Sequence, residues 1–314
     1  MRVAIAGEAL IDFTSLGDLR FQGYCGGSPL NAAVAVARLG IPVGYVTQLS
    51  TDLFGVRLRR HVETNGVDAR FVLSHPAPTT LAFVEREGEI NRYQFLANGA
   101  ADTLYAPDPL PTLPPETAFL HFGSVSLLSE PATHSFTRLV DLHRDRLTVV
   151  FDPNVRPTLI RDEDDYRRRC RDWIRACHLL KLSDDDAAYL AAGRDTEDTI
   201  GEWLDDGPRA VVLTSGSRGA RLYRRERDAV VVSGFDVAVA DTIGAGDTFT
   251  GAVSVGLLDR GVTDPQGLVD LSAPEWREVL RFAAAAAAIN CTRPGADPPT
   301  RDEVSDFLAR QSRQ

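Results

Sequence analysis

Short apolar runs alternate with stretches of helical periodicity along most of this chain. Residues 2–7, 43–49, 118–122, 148–151, 178–182 and 210–213 are rich in Val, Ile, Leu, Ala and Phe. Such runs predict buried strands, and helical segments between them predict a parallel sheet covered on both faces. One region breaks the rhythm. Residues 70–73, 80–85 and 90–96 are joined by proline and Gly-Glu turns with no helix between them, which predicts antiparallel strands. With residues 12–24 they predict a small sheet projecting from the main domain, built from about residues 12–24 and 70–105. A continuous sheet edge is the plainer alternative. Residues 230–232 and 237–240 predict strands leading into a helix over 248–260.

No linker, repeat or low-complexity segment divides the chain, so its 314 residues predict a single domain, 1–314, around one large α/β core. The hydrophobic fraction of 44% is that of a globular protein. A net charge of −10 argues against nonspecific nucleic-acid binding, which needs a basic surface. No segment reaches the roughly 20 apolar residues that span a bilayer, so no membrane partner is expected, and residues 282–289 predict a short alanine-rich helix. Residues 1–10 are interrupted by Glu8 and followed by Asp12, and they predict a first strand and not a signal peptide. Cys25, Cys170, Cys177 and Cys291 lack metal-type pairing, with Cys170 and Cys177 on one helix face. A reducing cytoplasm is the expected location.

Candidate chemistry concentrates in two glycine motifs. The string DTIGAGD at 241–247 joins a strand end to a helix start. The first N–H groups of a helix lack internal partners and its dipole favours negative charge, so Gly244, Ala245 and Gly246 let an anion, typically phosphate, approach bare backbone. Asp247 then stands beside that anion, where a carboxylate makes sense if it orients or deprotonates a nucleophile attacking the phosphate. An Asp that merely stabilises a first helical turn is the plainer reading. The second motif, GGSPLNAAVAVARLG at 26–40, opens a helix whose Ala33, Ala37 and Gly40 form a narrow face for close packing. Asn31 can bind a ligand hydroxyl there, or serve as a structural amide.

Other kinase and cofactor classes fall away. Lys181 is the one lysine of the chain and no glycine loop precedes it, which excludes a P-loop kinase. His143, Arg144 and Asp145 spell the start of a protein-kinase catalytic loop, but neither the Asn nor the Asp-Phe-Gly that should follow is present. They predict the polar end of a helix. Gly7 and Glu8 end the first strand with no G-x-G-x-x-G after them, against a dinucleotide enzyme.

In order and separation the two glycine motifs resemble the signature motifs of the ribokinase-like carbohydrate kinases, the PfkB family. GEALIDF at 7–13, FDPNVRP at 151–157, LTSGSRGA at 213–220 and NCTRPGA at 290–296 resemble the family's intervening blocks, so the resemblance runs nearly the whole chain. Its wording is most similar to bacterial fructokinases. The resemblance implies a three-layer α/β/α fold with a mainly parallel central sheet, and a small antiparallel β sheet as a lid over the sugar. It implies ATP-dependent transfer of the γ-phosphoryl group to a primary hydroxyl of a small sugar, fructose foremost, with Mg2+. A potassium requirement stays open. The alternatives are a sister kinase acting on ribose, 2-keto-3-deoxygluconate or a nucleoside, and a catalytically silent sugar-binding regulatory protein, against which the intact Asp247 speaks.

Site roles follow from the same resemblance. Asp247 would be the base, with Gly244, Ala245 and Gly246 as the anion hole. Asp12, Gly26, Gly27 and Asn31 would hold the sugar, because carboxylate and amide groups discriminate hydroxyls where an apolar pocket cannot. Asp12 and Asn31 are expected on the first half of the sheet, away from the 241–247 loop. Arg92 and Arg156 would touch sugar or phosphate, or be surface arginines. Ser183, Thr214, Gly216 and Gly219 would lie along the nucleotide with Gly246, although glycines at a tight hairpin serve the fold equally. Ligands of open α/β sheets bind beyond the carboxyl ends of the strands, where Asp12, Asp152, Ser183 and the 241–247 loop are expected to converge.

Two departures stand out. The family's Asn-x-x-Glu element, which organises magnesium and phosphate, appears as Ser183-Asp184-Asp185-Asp186. Asp186 is thereby the magnesium candidate, while Ser183 and Asp186 equally match a helix capping box. Ala283 stands where relatives often carry a polar residue near the adenine, which leaves base specificity open. Asp241, Ile243, Asn290 and Gly295 resemble a monovalent-cation loop, with Pro299 where a side-chain oxygen is often found. Sugar identity and oligomeric state stay open, a homodimer through the lid being one form.

Overall fold

The computed structural model describes residues 1–87 and 90–311. Its strands are, in the first part of the chain, β1 (Val3–Ala6), β2 (Leu10–Ser15), β3 (Phe21–Gly26), β4 (Val43–Ser50), β5 (Val72–His75), β6 (Leu81–Glu87) and β7 (Ile90–Leu96). β8 (Phe119–Gly123), β9 (Thr148–Asp152), β10 (Leu179–Ser183), β11 (Ala210–Thr214), β12 (Ala220–Arg224) and β13 (Arg227–Val232) follow. The helices are α1 (Ser28–Arg38), α2 (Leu53–Thr64), α3 (Ala132–His143), α4 (Glu163–Ala176), α5 (Asp184–Ala191), α6 (Thr196–Asp206), α7 (Ala245–Asp259), α8 (Pro265–Asp270), α9 (Ala273–Cys291) and α10 (Arg301–Gln311).

The main sheet has the order β13-β12-β11-β10-β9-β8-β1-β4-β5. It is parallel from β5 to β11 and antiparallel at the β11–β12–β13 edge. Residues of β1 alternate between its faces. Val3 and Ile5 join a core with α1, α7 and α9, while Ala4 and Ala6 join a second core with α3 and α4. A strand buried on both faces has no polar side to show, which is why these strands read as continuous apolar runs. This three-layer arrangement is the expected one, and the six predicted main-sheet strands all lie in it.

The lid differs in detail from expectation. Its sheet has the order β3-β2-β6-β7, and β2 pairs with β6 in parallel, so it is not purely antiparallel. Parallel neighbours need a long crossover, and the whole of α1, β4, α2 and β5 supplies it here. Residues 70–73 do not join the lid. They lead into β5, which pairs in parallel with β4 in the main sheet, α2 between the two strands serving as the crossover that parallel neighbours need. The Gly-Glu turn expected between β6 and β7 falls on residues 88 and 89, outside the described residues. Phe13 ties the lid to the body, stacking on Phe83 at 5.1 Å and meeting Phe54 of α2 edge-on at 5.7 Å.

Two other expectations shift. Residues 237–240 form no strand. This segment passes the end of α9, where Ala240 and Asp241 donate their N–H groups to the Cys291 carbonyl. The alanine-rich segment 282–289 lies in the C-terminal half of the 19-residue α9, which Ser272 and Glu275 start with a reciprocal capping box. Ala33 and Ala37 of α1 do pack in the main core, and α7 approaches the helix at further small residues. A Cβ on Gly251 of α7 would lie 2.9 Å from the Ala32 carbonyl oxygen and 3.2 Å from Ala35 Cβ, so Ala32 and Ala35 make the contact. α3 ends at His143 with Arg144 as its cap, as predicted. Among the described residues no helix is long and apolar enough to cross a membrane.

Candidate active site

The packing of α1 against α7 brings two helix N-termini together. α7 starts after Gly244, whose φ of 74° lies in the left-handed region, and a Cβ there would press to 2.6 Å from Ala296 Cβ. α1 starts after Gly27, with φ of 108°, where a Cβ would fall 2.8 Å from the Glu8 carbonyl oxygen. Both positions therefore require glycine. Asp247, in the first turn of α7, is buried. Ser28 Oγ donates to its Oδ1 at 2.6 Å and Asn31 Nδ2 donates to its Oδ2 at 2.8 Å. Asn31 thus lies against the 241–247 loop and not away from it, since the N-terminal end of α1 packs on that of α7.

Burial pushes the Asp247 carboxyl above the usual carboxylate range and the Asp152 charge adds to this, while the Ser28 and Asn31 hydrogen bonds and the Lys181 charge pull the other way. A carboxylate whose two oxygens are each held by one donor keeps further lone pairs for a third. Asp247 also lines the adjoining cavity.

That cavity has a volume of about 220 Å3, and its walls include Glu8, Asp12, Gly27, Asn31, Arg156 and Asp247. Asp12 comes from β2, and Gly26, the register partner of Leu10 on β3, gives it room, because a Cβ at Gly26 would lie 2.0 Å from Asp12 Oδ2. Burial, and then the Asp247 charge, push the Asp12 carboxyl up to about 7 against the pull of Arg156. Arg156 donates to Asn154 Oδ1 at 2.7 Å. Arg92 belongs to β7, and its side chain lies outside the described residues. A larger cavity of about 750 Å3 adjoins this one and shares Phe95 and Val125 with it. None of the predicted site residues whose side chains are described lines the larger cavity.

The predicted nucleotide residues cluster at the neighbouring strand ends. Ser183 and Thr214 are register partners at the carboxyl ends of β10 and β11. Gly216 and Gly219 form the turn into β12, where a Cβ on Gly219 would collide with the Val232 carbonyl oxygen at 2.1 Å. The fold alone therefore accounts for Gly219. Asp186 is buried and caps α5. Its Oδ1 accepts from the Val155 N–H at 2.7 Å and its Oδ2 from the Ser183 N–H and hydroxyl at 2.9 and 2.7 Å. Oδ2 is thus taken up by two donors, while Oδ1, with one, keeps a lone pair. No group of three or more His, Cys, Asp or Glu among the described residues is arranged to hold a metal ion. The cation-loop candidates do converge. Asp241 accepts from the N–H groups of Ile243 and Gly295 at 3.1 and 2.9 Å, and Asn290 Nδ2 donates to the Ile243 carbonyl at 2.8 Å.

Three residues of the site went unassigned from sequence. Glu8 is buried at the cavity wall, where it accepts from Ser126 and where burial raises its carboxyl to about 7. Ser28 orients Asp247 as described. Lys181 pairs with Asp152 at 3.0 Å beneath the first turn of α7. Glu8 and Lys181 carried a signal, each being a charge inside an otherwise apolar strand run, whereas Ser28 carried none.

The chain is similar to known proteins over most of its length. The pfkB family carbohydrate kinase model matches residues 2–303. A fructokinase of Rhizobium leguminosarum bv. trifolii is 33% identical over 269 residues, 84% of this chain and 82% of that protein. Fructokinase-1 of Zea mays is 33% identical over 97% of this chain and 96% of its own length. The crystal structure of a fructokinase with bound ATP from Xylella fastidiosa superposes with a TM-score of 0.90 at 28% identity, covering 99% of each chain. With motif, fold and whole-length likeness in agreement, the chain belongs to the pfkB family of carbohydrate kinases, and it is a sugar phosphotransferase.

Proposed function

We propose that the protein is an ATP-dependent fructokinase that moves the γ-phosphoryl group of ATP to a primary hydroxyl of fructose. The observation that carries the reading is Asp247, buried at the start of α7 with one oxygen on Ser28 and the other on Asn31, facing a cavity walled by Asp12. Relatives named fructokinase at 33% identity and the ATP bound to the Xylella fastidiosa enzyme support the two substrates.

In this reading Asp12, Gly26, Gly27 and Asn31 line the sugar subsite, and Asp247 accepts the proton of the attacking hydroxyl. Ser28 and Asn31 fix the direction of its lone pairs. The N–H groups after Gly244 face the phosphoryl group as it transfers, where negative charge develops and helix N–H groups stabilise it. Arg156 adds positive charge on the sugar side. The nucleotide lies along Ser183, Thr214 and Gly216. Magnesium travels with the nucleotide phosphates, needing few protein carboxylates, and a potassium ion would be held by the loop of Asp241, Ile243, Asn290 and Gly295. The free thiols of Cys25, Cys170, Cys177 and Cys291 fit a reducing cytoplasm. Leu16, Leu19 and Phe21, exposed on the β2–β3 hairpin, fit a homodimer formed through the lid.

The test is ADP release over a panel of sugars and nucleosides, with Asp247→Asn as the control. Fructose should give the highest kcat/KM. General-base assistance is worth about 10² to 10⁴ in rate, so the variant should lose that much kcat while sugar affinity stays near that of the native protein. Retention of more than about a tenth of kcat refutes the base, and preference for another acceptor refutes fructose.

A further inference from the structure

Lys181 stands in the apolar strand β10 between Leu180 and Leu182, both fully buried, and is itself 6% exposed. Its ammonium donates to Asp152 Oδ2 at 3.0 Å, and the same oxygen accepts from Thr250 Oγ1 at 2.8 Å. A Cβ built on Gly246 would lie 3.2 Å from Lys181 Nζ. The ammonium is therefore under residue 246, in the first turn of α7, while its carboxylate partner is beside residue 250, one turn further on. The ion pair lies along α7 with its positive end at the helix N-terminus, in the same sense as the helix dipole.

We propose that Lys181 is a positioning residue for phosphoryl transfer: held by Asp152 beneath Gly246, it fixes the first turn of α7 and adds positive charge behind the N–H groups that face the transferring phosphoryl group. This rests on the kinase reading above and extends it to a residue that touches neither substrate.

Two further observations support it. Burying an ion pair is costly, and well-packed apolar side chains usually stabilise a core as well or better, so a pair retained inside a strand run points away from stability alone. Burial opposes the Lys181 charge, but Asp152, Asp186 and Asp247 together outweigh it and hold the ammonium above the usual lysine range. All other Lys and Arg positions of the chain are arginine. The space under a glycine takes a compact ammonium, where a planar guanidinium with its fork of donors would displace the turn above it.

The experiment is steady-state kinetics with fructose and ATP on Lys181→Met and on the double variant Lys181→Met/Asp152→Asn. The single variant should lose about 10²-fold in kcat, with sugar KM and the affinity for ADP by calorimetry within a few-fold of native. The double variant removes the carboxylate that the single one leaves uncompensated, so its melting temperature should recover while kcat stays about 10²-fold down. Recovery of kcat in the double variant to within tenfold of native overturns the proposal, because Lys181 would then serve only to neutralise Asp152. Should the single variant not fold, the double variant carries the same decision. Asp247→Asn separates this inference from the reading beneath it. An active Asp247→Asn enzyme removes the base and leaves Lys181 standing, whereas an inactive one beside a fast double variant removes only Lys181.

Discussion

Glu8→Gln should make the unliganded protein more stable at alkaline pH and leave it nearly unchanged in acid. Glu8 is 2% exposed at the end of β1, with its carboxylate on the Ser126 N–H and hydroxyl. Burial lifts its carboxyl from 4.5 to about 7, against the pull of the serine hydrogen bonds. The group therefore takes up a proton on folding, and the native state binds more protons than the unfolded chain between these two values. Stability then falls as pH rises through that window. It is highest below 4.5, where both states are protonated, and the loss is complete above about 7. At about 1.4 kcal/mol per unit, the shift amounts to about 3 kcal/mol. Glutamine has nearly the same shape and no proton to gain, so any mismatch in its contacts with Ser126 adds an offset that does not vary with pH. Urea denaturation at several pH values between 4.5 and 8 reads the difference between the two proteins. The gap should widen by about 3 kcal/mol in favour of the variant as pH rises. Parallel stability curves would mean that Glu8 stays ionised in the fold, solvated through the cavity, and the argument would fail.

Asp12→Ala should raise the sugar KM by about 10- to 100-fold, the equivalent of one charged hydrogen bond at about 1.5 to 3 kcal/mol; a rise in the ATP constant instead would reverse the two subsites. Asn31→Ala removes a hydrogen bond that holds the Asp247 carboxyl down against burial, so the acid limb of the kcat profile should move to higher pH, and an unmoved limb with a raised sugar KM would return Asn31 to the sugar alone. Gly244→Ala puts a Cβ in left-handed backbone 2.6 Å from Ala296 Cβ; the backbone strain alone costs about 1 to 2 kcal/mol, and a melting temperature equal to native would show that the loop relaxes freely.

What could be read from the chain was what is local. The glycines before α1 and α7 announce helix starts with bare N–H groups because the helix dipole and the missing Cβ act within one turn. The buried strands announce themselves because burial on both faces forbids a polar side chain at any regular position. Where those rules were broken, at Glu8 and Lys181, the breach marked the site, yet neither position says which partner compensates it. Glu8 meets Ser126 across 118 residues, and Asn31 meets Asp247 across 216. Contacts at such separation depend on how α1 packs against α7, and the close approach of Gly251 to Ala32 that sets it leaves no local pattern.

The small sheet was legible, but the partner of each strand was not, for a related reason. Proline and glycine punctuation between residues 70 and 96 signals where strands end, and it carries no information about which strand each one joins. Residues 72–75 had two available edges, that of β4 and that of the lid, and α2 decided between them by delivering the chain back to the β4 side. β2 took β6 as a parallel neighbour for the same kind of reason, the chain having already travelled through the body of the domain. One consequence bears on the chemistry. Asp12 sits on β2, a strand that pairs with both halves of the lid, and Phe13 beside it fixes that strand to Phe54 of the body. Asp12, placed on the sugar side in the proposed function, therefore lies on a lid strand that is anchored to the body through α2.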